Sequence, residues 1–304
     1  METSDYPSLY AASDKASTLA KKRYYRLLAA QLLVYTVISL AAMLSAGGGE
    51  QEKFFSRLSA FLLGVSLLLA WITKAQHYDR IWYECRAIAE SIKTLTWRYM
   101  MQAEPFGSGL ESSAAKKKFL MELKELRKIY GGGGSNVAEF GPSPTIFSQA
   151  MDDTRAAAWQ DRKEKYLQKR LEPEREWYAR SARASSLGSE QWLWLIIILQ
   201  IIAFFFAVVQ PSVNLSFLKP VPLLITLASS VTAWNQAKRK DEVAQSYLGT
   251  AQALAEFQGV ASLEIVDSAS FESFVANVEQ TLAHERATWL IRKSVPAGLN
   301  LDHS

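Results

Sequence analysis

The chain has 304 residues, 49% hydrophobic and 21% charged, with a net charge of +4. That length allows two domains at about 100–200 residues each, and so slight a charge gives no reason to expect nucleic acid as a partner. One cysteine, Cys85, excludes an internal disulfide framework and a Cys-rich zinc site, and His77, His284 and His303 are too scattered for a His-based metal site.

The apolar residues are clustered. Leu27–Gly49, Leu58–Thr73, Gln191–Leu218 and Pro220–Ala237 contain no Asp, Glu, Lys or Arg. A core helix of a soluble protein turns a polar face to water, and these segments have none. The expected fold class is an all-α membrane protein. It consists of two fused two-span helical hairpins (four transmembrane helices) with long cytosolic helical extensions.

In chain order, Tyr10–Ala46 lacks Pro and Gly and predicts a helix about 55 Å long. Its later part, Leu27–Ala46, meets the roughly 20 residues that a bilayer core requires. The second span, Leu58–Thr73, is shorter and belongs to a helix predicted from Glu52 to the stop at Pro105. Beyond that span, Ile81, Cys85, Ile88, Ile92 and Leu95 recur at three- and four-residue steps, the seam of a helical stalk. An amphipathic helix is expected near Lys116–Tyr130, then a Gly/Ser/Pro linker from Gly131 to Pro144. The four glycines are followed by no Gly-Lys-Ser/Thr, so they do not read as a phosphate loop. A helix capped by Asp152 or Asp153 follows, with a break at Pro173. The third span, Trp192–Val209, is the strongest apolar signal, the fourth (Val221–Ala237) is again short, and an amphipathic helix near Phe271–Ile291 closes the chain. The two short spans reach across if flanking Lys and Arg snorkel, and otherwise read as buried soluble helices or re-entrant segments. The expected domains are residues 1–130, a linker 131–150, and residues 151–304.

Lys21, Lys22, Arg23, Arg26, Lys74, Arg80, Arg180, Arg183 and Lys238–Lys240 flank the spans on one side; the hairpin loops carry only Lys53, Arg57 and Lys219. Positive residues mark the cytosolic side. The expectation is a multi-pass membrane protein with both termini and the middle region in the cytosol.

The two halves repeat. Tyr10-Ala11-x-Ser13-x-Lys15-Ala16-Ser17-Thr18-Leu19 aligns with Tyr178-Ala179-x-Ser181-x-Arg183-Ala184-Ser185-Ser186-Leu187, and Ala70-Trp71 with Ala233-Trp234. Each half reads as pre-membrane helix, span, short loop, span and long post-membrane helix, a parallel duplication.

The second half resembles the SLATT domain, the two-transmembrane effector module named for its association with SMODS nucleotidyltransferases and SLOG proteins. The resemblance lies in Tyr166-Leu167, Arg170-Leu171, Trp177-Tyr178 and Ala182 before the spans, and in Phe274, Val278-Glu279, Glu285 and Trp289 after them. The first half resembles another branch through Tyr10, Ala16, Tyr24-Tyr25, Ala89–Lys93, Thr96–Tyr99 and Glu104-Pro105-Phe106. The resemblance covers residues 6–130 and 155–292. It implies a bacterial anti-phage defence effector that damages or permeabilises the inner membrane when a partner senses infection. The family has no established catalytic residues to carry over.

No Ser, His and acid cluster, paired carboxylates or metal-ligand spacing occurs, so neither catalysis nor a cofactor is expected. Polar residues inside the spans are the first candidate set. Gln31, Tyr35 and Ser39 form one stripe, Thr226 and Ser230 another; Ser59, Ser66 and Gln200 stand in the remaining two spans. They either hydrogen-bond between helices or line a water-filled path. The second set is cytosolic: Trp82, Tyr83, Arg86, Trp97 and Arg98 could stack on and pair with a nucleotide, or form a plain solvated helix face. Cys85 reads as a small buried hydrophobe. The function these readings imply is an effector that oligomerises into a pore or disrupts the membrane. Its expected partners are the lipid bilayer, copies of itself, an operon-encoded sensor or signalling enzyme, and a nucleotide second messenger. The alternative is a non-catalytic membrane scaffold that recruits a soluble defence protein.

Overall fold

A computed structural model describes residues 2–45, 49–129, 146–209 and 220–294, with side chains to residue 284. The linker from Gly131 to Pro144, the loop base Lys219 and the Trp289 side chain lie outside the described residues. Every regular element among those described is helical. After a short turn at Thr3–Asp5 come α1 (Ser8–Ser45), α2 (Gly49–Gln76), α3 (Tyr78–Met101) and α4 (Ser112–Ile129). Then follow α5 (Gln149–Ala156), α6 (Trp159–Tyr166), α7 (Glu172–Val209), α8 (Val221–Lys238), α9 (Lys240–Glu264) and α10 (Ser268–Ser294).

The duplication is visible in the element order. α1 and α7 are each 38 residues long. α3 and α9 have 24 and 25 residues. Before each of the latter stands a single left-handed residue, His77 or Arg239, both at φ 45°. The helix predicted to run unbroken from Glu52 therefore ends at Gln76 and restarts at Tyr78. Histidine tolerates the left-handed region better than most side chains, and nothing as overt as Gly or Pro marks the break. Arg239 caps α8, its N–H donating to the carbonyls of Asn235 and Gln236 at 3.0 and 3.3 Å.

Two further expectations are corrected. The helix after the linker is capped by Ser148, whose hydroxyl accepts from Met151 N–H at 3.2 Å, and not by Asp152 or Asp153. Pro173 does not break the chain's helical course. A π-helical turn at Leu167–Leu171 joins α6 to α7, so helix runs from Trp159 to Val209. The wider turn lies where a proline has no N–H to donate and its ring crowds the carbonyl four residues back.

The chain forms two compact units, each drawn from both halves. Unit 1 comprises residues 1–20, 79–180 and 246–304; unit 2 comprises 21–78 and 181–245. Unit 1 has the large core. Ile88, Ile92 and Leu95 of the predicted seam are buried, with Phe119 and Leu123 of α4 and Phe271, Phe274, Val278 and Leu282 of α10. The helical extensions are thus more than paired stalks: α3, α4, α9 and α10 share one apolar interior.

Unit 2 is built the other way round. Its large apolar side chains face outward, with Phe61, Leu67, Trp71 and Phe204 between 67% and 73% exposed. What it buries is small: Ala41, Ser66, Ala203 and Ala228. Small residues at helix contacts with large ones facing outward are what packing in lipid selects, because burying Leu or Phe against another helix gains nothing there. Among the described residues, three segments are long and apolar enough to cross a membrane; they lie within Ser8–Ser45, Gly49–Met101 and Trp159–Val209.

At the centre of unit 1 lies a buried ion network. Glu279 is fully buried and accepts from Arg170 Nε and Nη2 at 2.8 Å each, from Thr94 Oγ1 at 2.8 Å and from Tyr166 Oη at 3.1 Å. Removing one member strands a charge in the interior, at about 3–5 kcal/mol. Glu279→Gln is therefore expected to destabilise unit 1 by that order in denaturant titration of detergent-solubilised protein. Adding Arg170→Met should recover part of the loss.

Candidate functional site

Unit 1 holds a half-open cavity of about 630 Å³, within the range of small-molecule sites. Helical periodicity assembles its walls. α1 contributes Tyr10 and Asp14, one turn apart; α3 contributes Tyr83, Arg86, Glu90 and Lys93 along one face. α7 adds Glu174, Trp177, Tyr178 and Arg180, and α9 adds Tyr247.

The aromatic side chains pack on one another, edge to face or tilted. Trp177 meets Tyr178 and Tyr247 at centroid distances of 5.0 and 5.2 Å, and Tyr178 meets Tyr247 at 5.3 Å. Tyr10 packs on Tyr6 at 4.7 Å. The charged residues are largely paired. Arg86 bridges Asp14 at 3.1 Å and Glu90 at 2.5 Å, while Glu174 takes Lys93 and, at 2.7 Å, Arg170. Arg170 also grips Glu279, so the cavity wall runs directly into the core network. Burial works against ionising Glu174, but Arg170 and Lys93 outweigh it and hold its carboxyl below the ordinary range. The arrangement suits a planar or amphipathic small molecule. No Ser, Cys or His is among the described residues that line it.

The expected cytosolic residues do not form one surface. Tyr83 and Arg86 line the cavity, and Trp82 is buried and stacked on Tyr83 at 4.5 Å. Trp97 is fully buried, donating from Nε1 to Tyr6 Oη at 3.0 Å; Arg98 donates to the Ala276 carbonyl at 3.3 Å. The intramembrane candidates lie in unit 2. Gln31 Nε2 donates to Tyr35 Oη at 2.9 Å within α1, and Thr226 Oγ1 reaches Ser39 Oγ at 3.2 Å, joining α8 to α1. Ser66 is buried and bonds the Leu63 carbonyl at 2.8 Å, and the Ser59 hydroxyl is occluded without a partner. Gln200 is exposed and Ser230 half-buried. The sequence reading missed Glu174, Trp177, Tyr247 and the Arg170–Glu279 pair. Glu279 carried a signal, a carboxylate between the apolar Val278 and Leu282 on the buried face of α10.

An all-helical fold that hides its large apolar residues in one unit and displays them in the other defines a helical membrane protein. Residues 7–163 match the model of the SMODS and SLOG-associating 2TM effector domain 3, and residues 166–289 match that of domain 1. The chain belongs to this family and carries two of its domains in tandem. No curated protein and no solved structure matches it.

Cys85 packs against Ala16 between α1 and α3, and burial pushes its thiol up to about 11. As the chain's single cysteine it reports on that seam. Only the thiolate reacts. Labelling by a disulfide reagent at about pH 8 is therefore expected to run on the order of a hundredfold slower in the folded protein than in denaturant. Comparable rates would mean the seam is open.

Proposed function

We propose that the chain is an inner-membrane effector of a bacterial anti-phage defence system. It crosses the membrane four times, with α8 as the fourth span and both termini in the cytosol. When triggered by a partner sensor or a nucleotide signal, it oligomerises to form a pore or disrupt the bilayer. The observation that carries this reading is the inverted surface of unit 2, large apolar residues outward and small ones at helix contacts. Membership of a family of two-transmembrane effector domains supports it. So does the distribution of basic residues around the spans.

A bundle of four spans packs its interior with side chains and leaves no wide channel. Conduction therefore requires several protomers around one axis, with Gln31, Tyr35, Ser39, Thr226 and Ser230 turned inward. At rest, Thr226 and Ser39 bond to each other between helices. This is a contact that assembly can exchange for water, a two-state element for a trigger to bias. The second reading is a membrane scaffold that recruits a soluble defence protein. It is favoured by unit 1, whose core and cavity exceed what anchoring two pairs of spans demands.

Expression in bacterial cells together with the neighbouring sensor gene is expected to depolarise the membrane, read with a potential-sensitive dye. Gln31→Leu and Thr226→Leu should weaken depolarisation without lowering abundance. If cells stay polarised while the partner still relocates to the membrane, the scaffold reading replaces the pore.

A further inference from the structure

Four arginines stand in or against the core of unit 1, and their guanidinium groups are treated differently. Arg170 is matched by Glu279 and Glu174. Arg98 is half-buried and gives one nitrogen to a carbonyl. Arg155, buried in α5, donates to the carbonyls of Tyr99, Phe106 and Leu110 at 2.6, 3.1 and 3.4 Å and forms no ion pair among the described residues. Arg162 of α6 is 3% exposed; its Nε and Nη1 are occluded, and its guanidinium makes no hydrogen bond or ion pair among the described residues.

Burial together with the positive charge of Arg155 depresses the Arg162 guanidinium, and Glu272 opposes the effect. Glu272 does not neutralise both. One of its oxygens accepts the Ser108 N–H and the other the Ser268 hydroxyl, each at 3.2 Å. Arg155 also stands in the field of Asp152, whose carboxylate is bonded to Lys116 and Tyr99; the carboxylate that acts on Arg162 is Glu272, which bonds neither guanidinium. A buried charge without a counter-charge strongly destabilises a fold, and an orphaned buried donor in a native structure points to a missing acceptor. An acceptor that also supplies the counter-charge is a small anion. A guanidinium presents a planar fork of N–H donors that matches the oxygens of phosphate.

We infer that Arg162, seconded by Arg155, forms a binding site for a phosphate-type oxyanion where α6 meets the N-terminal part of α10. The site is separate from the aromatic cavity and independent of the pore reading. It lies at the end of the first family domain, residues 7–163. An oxyanion seated there supplies the counter-charge that the chain lacks, so occupancy stabilises unit 1.

The test is thermal melting of the full chain in detergent, followed by reaction of a thiol dye with Cys85. Inorganic phosphate is titrated against chloride at constant ionic strength. The wild type is expected to melt about 5 °C or more higher at a hundredfold excess of phosphate over its dissociation constant. Arg162→Met should melt higher than wild type in chloride, because the uncompensated charge is gone, and should not respond to phosphate. Arg162→Gln provides a second variant should the first fail to fold, and it too should lose the response. Adenosine monophosphate distinguishes a free phosphate from one carried on a nucleotide, by which of the two acts at lower concentration. A wild type indifferent to both compounds would overturn the inference. So would an equal phosphate response in wild type and the Arg162 variants, or variants that melt lower in chloride.

Discussion

Glu279 is the residue on which the structure of unit 1 turns. Its carboxylate is fully buried and gathers Arg170 from the π-helical turn, Tyr166 from α6 and Thr94 from α3. A carboxylate removed from water in this way is tolerable only when every oxygen is met and the charge is matched. Two of its partners belong to the second family domain and the third, Thr94, to the first. The tandem domains are therefore joined by chemistry as well as by peptide. Trp97 against Tyr166 at 5.7 Å and Arg98 on the Ala276 carbonyl repeat the same crossing. Such a network specifies one arrangement of helices more sharply than apolar packing does, since slipping any helix leaves a buried charge exposed to nothing.

One chain thereby meets two solvents with two packing rules. Unit 1 gains stability by removing Phe106, Phe119, Phe271 and Trp97 from water. Unit 2 has no such term among its spans, where lipid is as apolar as leucine, and uses close contacts at Ala41, Ala203 and Ala228. The long helices α1 and α7 supply residues to both units, which is why their sequences change character partway, from Tyr10 and Asp14 to Leu33 and Leu40, and from Glu174 and Trp177 to Ile198 and Phe204. In this arrangement Glu174, which lines the cavity, is one bond from the core pair. A molecule that draws Lys93 or Arg170 away from Glu174 therefore perturbs the contact that holds the two family domains together.

Much of this was legible in the sequence, where the signal is local. Charge-free segments announce apolar helices, and the steps from Ile88 to Ile92 to Leu95 mark the buried face of α3. The duplication emerged from short matched motifs and reappears in the paired helix lengths and the left-handed residues His77 and Arg239. What the sequence hid was long-range or compensated. Arg170 and Glu279 are 109 residues apart, and no periodicity links them. Pro173 looked like a break because its local cost is real, but the π-helical turn before it absorbs that cost. Trp97 and Arg98 read as a ligand face or a solvated one because Tyr6, which satisfies the indole from the start of the chain, cannot be paired with it by spacing. Of the residues that line the cavity, Tyr83 and Arg86 stood among the sequence candidates for a ligand or partner surface; Glu174, Trp177 and Tyr247 come from other helices and meet them only in the fold.

The central claim is that the two family domains share one cooperative core. Native-state hydrogen exchange of the full chain in detergent tests it most directly, by comparing buried amides of α3, such as those of Ile92 and Trp97, with those of α10, such as Phe274 and Val278. A shared core predicts that both sets exchange through one opening, with the same free energy and the same dependence on denaturant. If α10 opens at much lower free energy while α3 keeps its protection, the domains fold independently and the core is not shared.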